Sequence, residues 1–157
     1  MPEIGDRAPD FNLPTDGGQP LKLSKLKGRP VVVFFYPKDD TSGCTAEAKA
    51  FTELSERFEA AGAHVVGMSP DSAASHAKFK DKHGLAVTLV ADETKSTLES
   101  YGVWVEKSMY GRKYMGVERT TVLIDAKGRI ARIWRKVKVP GHAEQVLAAV
   151  EELAGAR

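Results

Sequence analysis

The chain's single cysteine, Cys44, stands in the phrase Tyr36-Pro37-Lys38-Asp39-Asp40-Thr41-Ser42-Gly43-Cys44-Thr45, directly after its most apolar run. Its neighbours Ser42, Gly43 and Thr45 open helices rather than fill cores, so the thiol falls at a strand-to-helix junction. At a helix N-terminus, unpaired backbone N–H groups and the positive end of the helix dipole favour thiolate over thiol, and the thiolate is the reactive form. Cys44 is therefore a candidate nucleophile. Thr41, three residues earlier, can bring a hydroxyl to the sulfur, or serve as a helix cap or turn residue. Other candidates are weaker. His64, His76, His83 and His142 have no H-E-x-x-H or C-x-x-C companion and read as solvated side chains rather than zinc ligands. Gly17-Gly18 lacks the following helix and lysine of a phosphate loop.

The elements that must position Cys44 follow from periodicity. Phe11 to Leu26, broken by Pro14, Asp16-Gly17-Gly18 and Pro20, reads as an edge hairpin. Val31 to Tyr36 is continuously apolar, the pattern of a central strand covered on both faces, and Pro37 ends it. After Thr45, Phe51, Leu54, Phe58 and Ala61 recur at helical spacing until Gly62, so Cys44 heads an amphipathic helix of about four turns. His64–Ser69 reads as a strand, Pro70-Asp71 as the start of a helix ending at Gly84, Val87–Ala91 as a strand and Thr94–Tyr101 as a short helix. Arg119–Asp125 and Arg129–Arg135 form two strands joined by Ala126-Lys127-Gly128, and His142–Leu153 closes the chain as a helix. Trp104, Met109, Tyr110, Tyr114 and Met115 read as loop core, or as an apolar collar near the site. The alternation predicts an α/β, thioredoxin-like fold: a central mixed β-sheet flanked by helices, with an N-terminal β-hairpin extension.

Length and composition set the bounds. A chain of 157 residues accommodates one domain, taken here as residues 1–157. The 23 basic and 21 acidic side chains are spread along it, and the local basic clusters read as solvated edges and turns, not a nucleic-acid surface. The first residues lack the apolar core of a signal peptide and the longest apolar run is far short of a membrane span, which predicts a cytoplasmic protein with no membrane partner. A single cysteine forms no intramolecular disulfide, in keeping with a reducing compartment.

Pro37, Thr41 and Cys44 stand in the spacing P-x-x-x-T-x-x-C, which resembles the peroxiredoxin active-site loop. Ala8-Pro9-Asp10-Phe11, Phe35-Tyr36-Pro37-Lys38-Asp39, Gly43-Cys44-Thr45-Ala46-Glu47, Tyr101-Gly102-Val103-Trp104 and Lys113 to Thr121 resemble the bacterioferritin-comigratory, or Q-type, subfamily. The resemblance implies an antioxidant thiol peroxidase serving cell redox homeostasis, which reduces hydrogen peroxide and organic hydroperoxides through a cysteine sulfenic acid and needs no cofactor. Cys44 would be the peroxidatic cysteine, Thr41 and Arg119 its activators, and Pro37 the shelter of the loop. Read from the residues alone, an arginine at a strand start is more often solvated, Glu47 on the helical face of Cys44 either orients Arg119 or is a surface carboxylate with a sufficient reason in the helix dipole, and a proline ending a strand requires no function.

Lys49 departs from the pattern, because many Q-type members carry a resolving cysteine five residues after the peroxidatic one and others carry it on the following helix, here around Lys80 to His83. Neither place holds a cysteine. The resemblance thus implies a one-cysteine mechanism resolved by an external thiol, either thioredoxin, glutaredoxin or glutathione, in a monomer or weak dimer. A thiol-disulfide oxidoreductase and a non-catalytic redox sensor or holdase on the same fold remain the alternatives.

Overall fold

A computed structural model describes residues 1–155. Strands β1 (Asn12–Pro14) and β2 (Pro20–Lys22) pair antiparallel as the expected hairpin, followed by a 3-10 turn over Leu23–Leu26. Then come β3 (Val31–Phe35), α1 (Ser42–Glu53), α2 (Ser55–Ala60), β4 (His64–Ser69), α3 (Ala73–His83), β5 (Thr88–Ala91) and α4 (Ser96–Ser100). The C-terminal part holds β6 (Trp104–Met109), β7 (Arg112–Val117), β8 (Thr120–Ile124), β9 (Ile130–Trp134) and α5 (His142–Gly155).

The central sheet has the order β5-β4-β3-β8-β9. β3 runs parallel to β4 and antiparallel to β8, with Val33 opposite both Val66 and Val122. Being central, β3 is buried at all five residues, and the pleat sends them alternately into two cores. Val32 and Phe34 join Phe51, Phe58, Phe79 and Val146 from the helices, whereas Val31, Val33 and Phe35 join Leu98, Tyr101 and Val103 on the other face. The fold is thus the mixed, two-faced α/β sheet that the sequence predicts.

Two elements differ from expectation. The helix headed by Cys44 breaks at Leu54, whose φ of −99° and ψ of 7° leave the helical region, so α1 and α2 replace one continuous rod. Residues 104–117 are a β-hairpin, not loop core. Tyr110 and Gly111 both have positive φ, the geometry of a two-residue turn that matches strand twist, and Met109, Tyr110, Tyr114 and Met115 are all exposed. No helix among the described residues is long and apolar enough to cross a membrane.

Gly67 in β4 shows how tightly the layers close. A Cβ there would meet Phe34 at 2.6 Å and Leu89 at 3.1 Å, both fully buried core side chains. Gly67→Ala is expected to cost about 1–3 kcal/mol through overpacking. The measurement is the urea midpoint at unchanged slope.

Candidate active site around Cys44

β3 ends at Phe35 and the chain leaves the sheet through buried Tyr36 and half-buried Pro37. Asp40 takes a left-handed φ of 60°, and Thr41 returns to extended backbone at φ −91°, ψ 157°, as the N-cap of α1. The first helical bond joins the Thr45 N–H to the Thr41 carbonyl at 2.9 Å. The Thr41 hydroxyl does not cap the helix; it donates instead to the Lys38 carbonyl at 2.8 Å. With that proton committed, its lone pairs are what it offers to a ligand. Thr41 itself is exposed, while Cys44 on the first turn of α1 is only 1% exposed.

Arg119, immediately before β8, reaches across to α1. Its Nη1 donates to Glu47 Oε1 at 2.7 Å and its Nη2 to the Cys44 sulfur at 3.4 Å. Gly43 makes this approach possible, because a Cβ at that position would stand 3.2 Å from Nη2. Cys44 and Glu47, three residues apart on one helix, present sulfur and carboxylate to the same guanidinium. Far from being a surface group, Glu47 is 1% exposed, and its Oε2 has no hydrogen-bond partner. Burial raises its pKa to about 7 against the opposing pull of Arg119. For Arg119, burial favours loss of the proton, but Glu47 and Cys44 outweigh it and raise its pKa further. His142, at the start of α5, bonds Thr121 Oγ1 through Nε2 at 2.7 Å. Burial, then Arg119, push its pKa down to about 4, so a neutral imidazole backs the guanidinium.

The loop carrying Thr41 is fastened from behind by groups that sequence reasoning missed. Asp39 accepts hydrogen bonds from Tyr36 Oη at 2.6 Å and Ser75 Oγ at 2.7 Å, and its Oδ2 meets His76 Nδ1 at 2.8 Å. His76 Nε2 faces the Val90 carbonyl at 3.0 Å, and the Asp39 N–H donates to Asp71 Oδ2 at 2.8 Å. His76 and His142 are buried, which corrects their reading as solvated. The reason lies in α3: His76 shares its inward face with Phe79, and every polar ring atom finds a partner. Asp40 pairs with Lys82 at 2.6 Å and His83 at 2.7 Å, so both aspartates tie the loop to α3. The only sequence signal for this was the i, i+3 spacing of His76 and Phe79.

Of the four predicted site residues, Cys44 and Arg119 are in direct contact, Thr41 lies at the mouth of the same turn, and Pro37 lies in the segment leading into it. Lys49 is exposed on α1, and the Lys80–His83 end of α3 is engaged in ion pairs with Asp16 and Asp40.

Residues 4–133 match the AhpC/TSA family. Peroxiredoxin Bcp of Bacillus subtilis is 45% identical over 151 residues, 96% of each chain. Peroxiredoxin Bcp of Escherichia coli is 38% identical, covering 92% of this chain and 93% of its own. The bacterioferritin comigratory protein of Xanthomonas campestris, for which alkyl peroxide reduction is described, superposes with a TM-score of 0.90 at 41% identity over 97% of both chains. A serine variant of PrxQ from Xylella fastidiosa gives 0.93 at 38% identity over 98% of both. Likeness in sequence and in three dimensions thus runs through nearly the whole chain, which belongs to the AhpC/TSA family as a thiol-dependent peroxidase of the Bcp, or Q-type, peroxiredoxin branch.

Proposed function

We propose that Cys44 is the peroxidatic nucleophile of a one-cysteine enzyme, and that Arg119, Thr41 and Pro37 assist it within one domain spanning the chain. The observation that carries this reading is the Arg119 Nη2 contact to the Cys44 sulfur, secured by Glu47 on the other arm of the guanidinium. The substrates are hydrogen peroxide and organic hydroperoxides, alkyl peroxides among them, as described for the Xanthomonas relative.

The sulfur attacks one peroxide oxygen in line, the O–O bond breaks, and the other oxygen leaves as hydroxide or alkoxide and takes up a proton. Charge moves from sulfur to the leaving oxygen, so a fixed cation and oriented donors beside that path stabilise the transition state more than the ground state. Arg119 supplies the cation and the first-turn amides of α1, which no side chain caps, supply donors. The lone pairs of Thr41 Oγ1 accept the hydrogen of the incoming hydroperoxide, since its own proton is held by Lys38. Pro37 contributes shape to the entrance rather than chemistry. The product is Cys44 sulfenic acid. With no second cysteine in the chain, a thiol from outside completes the cycle. Thioredoxin, glutaredoxin and glutathione are the candidate reductants, in the cytoplasm, for a monomer or weak dimer that binds no nucleic acid.

Cys44→Ser is expected to keep the fold and lose turnover entirely, checked by peroxide consumption and circular dichroism. Under peroxide alone the parent's Cys44 peptide should gain two and then three oxygens by mass spectrometry; with glutathione present it should carry a mixed disulfide instead.

Arg119→Met, which keeps the stem and removes both arms, should slow Cys44 oxidation about 10²–10³-fold, as loss of a preorganised charged donor does. Stopped-flow fluorescence during oxidation gives the rate.

Glu47 generates a pH prediction. Its pKa is raised from 4.5 to about 7 on folding, so between those values the native state holds a proton that the unfolded chain has released. Stability contributed by the protonated carboxyl is present below pH 4.5 and is lost as pH rises through 7. Glu47→Gln should flatten this slope, read from urea unfolding at a series of pH values.

A further inference from the structure

On the hairpin beside the site, Lys107 is half-buried, an uncommon setting for a lysine, and no carboxylate among the described residues lies within ion-pair distance of it. Its neighbours Glu106 and Lys113 pair with each other on the opposite face. The register sets Lys107 opposite Tyr114 and diagonal to Gly116. Gly116 leaves that face bare: a Cβ there would meet the Lys107 stem at 3.3 Å and Tyr114 at 3.6 Å. The stem therefore leans away from the Tyr110-Gly111 turn, toward the base from which β7 runs through Val117 and Glu118 into Arg119.

Three charged or titratable groups act on this ammonium. Burial and Arg119 lower its pKa, while Cys44 and Glu118 draw the other way. Arg119 has its Nη1 on Glu47 and its Nη2 on the sulfur. Among the described residues, Lys107 is a second cation that acts on the sulfur, and it has no such commitment. A cation held beside another in a partly desolvated place attracts an anion, and a neutral hydroperoxide offers none. Of the two reactants, the external thiol is the one that can carry an anion.

We propose that Lys107 selects the reductant, receiving the carboxylate of a small anionic thiol while that thiol's sulfur attacks the Cys44 sulfenic acid. This rests on the one-cysteine reading above. The incoming thiolate forms an S–S bond, the S–O bond breaks, and the departing hydroxide takes up a proton to leave as water. A second thiol then attacks the reductant's sulfur, releasing Cys44 thiolate and a small disulfide. Two thiols are oxidised for each sulfenic acid reduced.

The experiment forms the sulfenic acid with one equivalent of peroxide, then follows its reduction by 3-mercaptopropionate, 2-mercaptoethanol and cysteamine, which are anionic, neutral and cationic in turn. Comparing variant with parent for each thiol removes their intrinsic reactivities. Lys107→Met should slow 3-mercaptopropionate about tenfold, leave 2-mercaptoethanol within about twofold, and leave cysteamine unchanged or faster. Lys107→Arg should restore the 3-mercaptopropionate rate, and added salt should erode the parent's preference for it. Equal slowing with all three thiols, or an unchanged 3-mercaptopropionate rate, would overturn the assignment, and Lys107→Gln guards against a folding defect peculiar to methionine. If neither a small thiol nor a protein dithiol such as thioredoxin reduces the parent's sulfenic acid, the one-cysteine reading fails and takes this inference with it; reduction by the protein dithiol alone, or a charge-blind response to the small thiols, defeats the inference alone.

Discussion

The ion pair between Glu47 and Arg119 is the constraint on which the site depends. Its partners are 72 residues apart in the chain and meet at 2.7 Å, with the carboxylate 1% and the guanidinium 17% exposed. A buried pair of this kind is a weak source of net stability but is costly to break, about 3–5 kcal/mol when one partner is removed, because the other charge is stranded. What it supplies is direction. With Nη1 fixed on the carboxylate, the planar fork leaves Nη2 on the sulfur, and Gly43 keeps the intervening space clear.

That pairing exists only because the sheet brings α1 and the start of β8 together. β3 delivers the chain to α1, and β8 lies antiparallel beside β3 with Phe35 opposite Thr120. The end of one strand and the beginning of its neighbour therefore coincide, placing Arg119 next to the loop that follows Phe35. The two cores on either side hold this register, since a one-residue slip would reverse every side chain on a strand that is buried throughout.

Behind the loop, Asp39 and Asp40 perform different tasks on adjacent residues. Asp39 is buried, and although burial opposes its charge, His76, Tyr36 and Ser75 lower its pKa below the ordinary value. Asp40 is exposed, and its contacts with Lys82 and His83 are open to solvent screening. The buried set fixes the turn between β3 and α1 in one arrangement, because each polar group in it would lose its partner in any other. The exposed set adds a weaker tie from the same helix.

Much of this was legible in the sequence. A continuous apolar run before Pro37 marked the central strand, helical spacing after Thr45 marked the helix, and the phrase around Cys44 marked the candidate nucleophile, since these depend on local periodicity and on the chemistry of neighbouring residues. The hairpin over Trp104 to Val117 was not legible, because its turn is Tyr110-Gly111 and its exposed methionines and tyrosines imitate a core. His76 read as a solvated imidazole, and Glu47 was left between a surface carboxylate and a partner of Arg119, for a related reason: whether a helix face meets water or another layer is decided by what packs on it. The sequence by itself determined the central strand, the helix that follows it and which thiol is the candidate nucleophile. Only the tertiary structure decided which groups Cys44 and its loop would meet, because Arg119 and His76 reach them through strand register and layer packing, quantities that no local spacing encodes.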